Sequence, residues 1–145
     1  MAKISQQVKL RLSMAGEFGV ASELLKRGYD VSVTYGNAKA VDVICFDSAA
    51  QHYKTIEVKT THNKTVVTGF FQKYGDRSLP HPDYWVVVYI DNNNISHFYI
   101  LTHQEMGQIQ MTRNKMTSWQ PCTGCDNVLV SSLAAYENDW GKIVI

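Results

Sequence analysis

Two stretches decide the reading: Val41-Asp42-Val43-Ile44-Cys45-Phe46, and Ile56-Glu57-Val58-Lys59-Thr60. Both are β-branched and apolar, broken only by charge. Side chains alternate across a strand, so Glu57 and Lys59 share one face while Ile56 and Val58 take the other. A short polar stretch joins the two runs, which predicts a hairpin over Val41–Asp47 and Tyr53–Thr60. A connection centred near residue 50 sets Asp42 opposite about residue 58, a diagonal neighbour of Glu57. Two carboxylates that close repel each other and resist ionisation unless a cation lies between them. Hard oxygen donors of this kind suit Mg²⁺, or Mn²⁺ in its place.

Working outward, Met14-Ala-Gly-Glu-Phe-Gly-Val-Ala-Ser-Glu-Leu-Leu-Lys-Arg27 reads as a helix closed by Gly28. At 100° per residue, Glu17 falls in the middle of the stripe made by Val20, Ala21 and Leu24. A carboxylate in an apolar stripe is costly without a partner, and such local conflict marks functional positions. Tyr29–Thr34 alternates as a strand, and Gly36-Asn37 marks a turn.

Further along, residues 62–83 are polar and read as a long loop with a short helix. Tyr84–Ile90 is a continuous apolar run, a central strand buried on both faces. Asn92–Asn94 forms a turn and Ile95–Leu101 another strand. Thr102-His-Gln-Glu105 is a capping box that opens a helix. A last helix is expected over Ser131–Asn138. The order predicts an α/β fold with a mixed central β-sheet flanked by helices, in one domain over residues 1–145.

The helix with Gly16-Glu17, then Gly28-Tyr29-x-Val31, then Asp42, then Glu57-Val58-Lys59 resembles the PD-(D/E)XK nuclease superfamily. It is most similar to the Holliday-junction-resolvase-like branch, over roughly residues 14–61. The resemblance implies a restriction-endonuclease-like three-layer core and metal-dependent hydrolysis of DNA phosphodiester bonds. It assigns Glu17, Asp42 and Glu57 as metal-binding carboxylates and Lys59 as the residue that assists hydrolysis; the carbonyl of Val58 is a further candidate ligand. Val41 stands where the name-giving proline would be. The substrate implied is double-stranded or branched DNA, and cutting two strands suits a homodimer. The alternative is an inactive nuclease fold that serves as a nucleic-acid-binding or protein-interaction module.

Charge distribution sits comfortably with phosphate. Among the 145 residues the net charge is +1, but residues 1–77 carry 11 Lys/Arg against 7 Asp/Glu, and residues 78–145 carry 3 against 6. Lys54, Thr60, Lys64, Gln72, Lys73 and Arg77 flank the motif and are candidate DNA contacts. Tyr74 and Phe70–Phe71 are candidates to stack on an unpaired base, against an ordinary place in the core.

Other classes find no support. There is no phosphate-binding G-x-x-x-x-G-K-[ST], no G-x-G-x-x-G and no G-x-S-x-G elbow. Cys122 and Cys125 supply two of the four ligands tetrahedral zinc wants, with His103 a candidate third; the favoured reading is two ordinary thiols in a turn, the alternatives being that the pair oxidises or bridges two subunits. No run approaches the roughly 20 apolar residues of a membrane span. The expectation is a soluble, cytoplasmic protein.

Overall fold

The computed structural model describes residues 5–34, 41–49 and 51–145. Helix α1 (Gln6–Lys26) precedes strands β1 (Asp30–Val33), β2 (Val43–Phe46) and β3 (Tyr53–Thr61). Then come β4 (Thr65–Val67), α2 (Phe70–Tyr74), β5 (Tyr84–Ile90), β6 (Ser96–Thr102), α3 (His103–Arg113) and β7 (Asn127–Leu129). Two 3₁₀ turns, Val130–Tyr136 and Trp140–Lys142, follow.

The main sheet has the order β1-β2-β3-β5-β6. β3 and β5 run parallel, with Glu57 beside Trp85 and Lys59 beside Val87; the other pairs are antiparallel. The sheet is therefore mixed, as expected. β4 and β7 form a separate two-stranded ribbon that the polar look of residues 62–83 concealed.

Strand alternation splits the core into two layers. One face of the sheet carries Val43, Ile56, Val58, Val86, Val88 and Ile100, packed under Val20 and Leu24 of α1 and under Trp140 and Ile143. The other carries Trp85, Val87 and Leu101, packed under Phe70 and Phe71 of α2, Met106 of α3, and Val128 and Leu133. Three layers result. Phe70 and Phe71 are fully buried, so they belong to this core and cannot stack on a base.

Helix α1 starts eight residues before the expected Met14. The Ser5 hydroxyl accepts the Val8 N–H at 3.2 Å and caps it. Residues 6–11 are exposed, so no apolar stripe advertised them. The far end matches the reading: Gly28 takes φ +92°, and the Gly28 and Tyr29 N–H groups close back on Leu25 and Leu24. The capping box at Thr102 and Glu105 is also present. The expected final helix is instead the 3₁₀ turn Val130–Tyr136. The turn expected at Gly36-Asn37 lies outside the described residues.

Cys122 and Cys125 are bonded to each other, correcting the reading of two free thiols. Gly124 at φ +83° turns the chain, and the two Cα atoms come to 5.7 Å, inside the range a disulfide spans. Cys45 is buried and free.

Candidate active site

β2 stops pairing with β3 at Val43, opposite Ile56. One residue earlier, the Asp42 N–H still donates to the Ile56 carbonyl at 3.2 Å. The Asp42 carboxylate then accepts the Val58 N–H at 2.8 Å, where a strand partner would otherwise sit. The register thus sets Asp42 beside Glu57, one residue from the expected position opposite 58, and nearer to the glutamate.

Glu57 points to the α2 face of the sheet and its side chain is only 7% exposed. Lys59, two residues on, places its Nζ 3.8 Å from Glu57 Oε1. Lys73 of α2 reaches the same oxygen, also at 3.8 Å. Glu17 comes from α1, and both Glu17 and Glu57 stand within hydrogen-bonding reach of the Asp42 carboxyl. Three acids and two ammonium groups therefore meet where β2 leaves β3.

The electrostatics follow from that crowding. Burial first, then the Asp42 and Glu57 charges, push the Glu17 carboxyl up to about 7, against a small opposing pull from Lys59. Burial also raises Glu57 to about 7, with Lys59 and Lys73 holding it down and Asp42 adding to the rise. Two carboxyls poised near neutral pH beside a third acid can take up, hold and release protons there.

Glu17 reaches the cluster because α1 lies very close to β3. A Cβ on Gly16 would collide with the Thr60 hydroxyl, so only glycine allows this approach. Thr60 Oγ1 is buried with no hydrogen-bond partner among the described residues, pressed against the helix. It therefore does not offer a hydroxyl to phosphate, as the sequence suggested. Thr60 shares the strand parity of Ile56 and Val58, which already pointed it at α1.

The remaining candidates separate. Lys54 has the same parity and lies on the α1 face, opposite Glu57. Lys64 and Gln72 are exposed, the first in the β3–β4 turn and the second on α2. Arg77 lies with its guanidinium 4.1 Å over the Trp119 ring, beside a separate cavity. Tyr74 adjoins the cluster: burial, then the charges of Glu57 and Asp42, push its hydroxyl up to about 12.

No protein-family profile matches the chain, and no curated protein matches it in sequence. Among solved structures, that of a bacterial homing endonuclease, I-Ssp6803I, is similar with a TM-score of 0.55. It shares 15% identity and aligns over 97% of this chain and 91% of that one. At that identity the likeness speaks for a shared three-layer α/β fold.

Proposed function

We propose that this chain is a metal-dependent DNA endonuclease of the PD-(D/E)XK type. The observation that carries the reading is the meeting of Glu17, Asp42, Glu57 and Lys59 at the end of β2. The full-length fold likeness to a homing endonuclease supports the same substrate class.

A divalent ion fits the donor set. Among the described residues no group of three or more His, Cys, Asp or Glu side chains is disposed as a ready metal cage. Mg²⁺, however, binds through one or two carboxylates and keeps several waters. Asp42 and Glu57 are the pair that would hold it, with Glu17 adjoining and the Val58 carbonyl a further donor. Burial first, and then repulsion from the neighbouring acids, holds the Glu17 and Glu57 carboxyls above the usual range, and a cation would relieve the repulsion. Bound there, Mg²⁺ or Mn²⁺ supplies Lewis acidity to a phosphate oxygen and a more acidic water.

The chain's own residues do the rest. Lys59 holds positive charge at the cluster, where it offsets the charge that builds on the phosphate in the transition state. Glu17, half-buried and poised near neutrality, holds or yields a proton at its carboxylate. Asp42, tied to the Val58 N–H, stays aimed into the site. Branched DNA as the preferred substrate, and a homodimer presenting two sites, belong to the same proposal.

Cleavage of linear, branched and single-stranded DNA, with and without EDTA, tests it. Cutting that requires Mg²⁺ or Mn²⁺ and drops at least about 100-fold in Glu57→Gln is expected. Wild-type protein that binds DNA but cuts none of these substrates would defeat the enzyme reading.

A further inference from the structure

We propose that a cavity beside the carboxylates receives one unstacked base of the nucleic-acid substrate. This deepens the nuclease reading and rests on it. The cavity has a volume of about 270 Å³ and lies between α2, the segment after it and the start of α3. That is just under the roughly 300–1,000 Å³ of pockets for whole drug-sized ligands, and suits a single ring system.

Aromatic rings and a guanidinium plane line it, with the His103 ring itself held between His81 and, at 4.6 Å, Phe70. The His81 and His103 rings stack at 4.0 Å with 9° between their planes. Trp119 lies 5.8 Å from His103 and carries the Arg77 guanidinium on its face. Aromatic rings and guanidinium planes are the surfaces on which unpaired bases stack.

The hydrogen bonds fix what the rings offer. The Trp85 indole N–H donates to His103 Nδ1 at 3.0 Å. Nδ1 is therefore the acceptor, and a neutral His103 carries its proton on Nε2. His81 Nδ1 lies 2.9 Å from the Pro82 carbonyl, which can only accept, so Nδ1 bears the proton. A neutral His81 then offers Nε2 as an acceptor. A donor on one ring and an acceptor on the other are what the edge of a base pairs with.

A phosphate fits this cavity less well. Asp76 and Asp83 line it together with Arg77. Burial, then the neighbouring His81 and Arg77, pull His103 down to about 3, so it brings no positive charge. Position favours a nucleotide next to the cut. Trp85, which holds His103, is the strand neighbour of Glu57, and Tyr74 lines the cavity while lying in the field of Glu57 and Asp42.

The test uses the three tryptophan indole N–H signals in ¹⁵N-labelled protein. Adenosine or cytidine, which lack phosphate, should shift the Trp85 and Trp119 signals and leave Trp140, in the other core layer, unmoved. Inorganic phosphate should shift none. His81 is exposed, so His81→Ala should fold and should weaken nucleoside binding about tenfold. In a DNA oligonucleotide bound with Ca²⁺, one abasic position should cost wild type about tenfold in affinity and His81→Ala almost nothing. Phosphate shifting the signals as strongly as nucleoside would overturn the base site in favour of an anion site. DNA that binds equally at every abasic position, with no nucleoside response, would overturn it while leaving the nuclease reading intact. Nucleoside shifts in a protein that cuts no DNA would support the cavity and count against the nuclease alone.

Discussion

Asp42 Oδ2 accepts the Val58 N–H at 2.8 Å, a side chain taking the place of the strand partner that β2 has ceased to provide. The same bond ends the ladder and aims the acid. Val58 is 7% exposed, so its N–H has little access to water as an alternative. Asp42→Asn keeps an acceptor there, and should fold as wild type while losing metal-dependent cleavage. Asp42→Ala strands the donor and should cost about 1–3 kcal/mol as well. Denaturant titration of the two variants separates the roles; equal stability would show that the bond holds nothing in place.

The weakened acidity of Glu17 and Glu57 makes stability depend on pH. Between about 4.5 and about 7 the native state binds more protons than the unfolded chain. Stability from these groups is complete below 4.5 and is lost as pH climbs through 7. Without divalent ions, Tm should fall from pH 5 to pH 8, and Mg²⁺ should restore it at pH 8. Glu57→Gln should flatten the slope. A metal-free Tm that rises over this range would contradict the cluster's electrostatics.

Gly16 and Thr60 should behave as a coupled pair. Gly16→Ala drives a Cβ into the Thr60 hydroxyl and should cost about 1–3 kcal/mol while displacing Glu17. Thr60→Ala alone should cost little, since its hydroxyl has no hydrogen-bond partner among the described residues. The double variant should recover part of the loss. A double-mutant cycle measures this, and strict additivity would show that helix and strand do not meet there.

Lys59 and Lys73 both lie 3.8 Å from Glu57, yet they leave the backbone from different places. Lys59 rises from the rigid interior strand; Lys73 sits on a five-residue helix with its side chain half exposed. Lys59→Met should lower cleavage about 100–1,000-fold with DNA binding kept. Lys73→Met should lower it far less. Matching single-turnover rates for the two variants would refute that division.

Thiol titration checks the bridge between Cys122 and Cys125. Denatured, unreduced protein should show one free thiol, from Cys45, and reduced protein three. Because the bridge closes only a short loop, reduction should cost no more than about 2 kcal/mol. Three free thiols before reduction would show that the bridge does not form.

Local periodicity carries much of this protein. A period of two placed Glu57 and Lys59 on one face, because neighbouring strand residues must alternate. A period of 3.6 placed Glu17 among Val20, Ala21 and Leu24, and Gly28 alone could close that helix as it does. What lay beyond the sequence was decided by contacts between distant segments. The parallel pairing of β3 with β5 brings Trp85 beside Glu57, and nothing in either strand's own pattern chooses that neighbour. The β4–β7 ribbon joins segments more than 50 residues apart, each too short to show a period. Lys73 and Tyr74 reach the acids because Phe70 and Phe71 anchor α2 on the sheet, a packing outcome that a polar stretch does not announce. The stacked histidines belong to the same class: His81 and His103 meet only because β5 and β6 bring the chain back to the edge it left. Spacing along the chain tells which side chains share a face; burial of those faces against one another decides which of them meet.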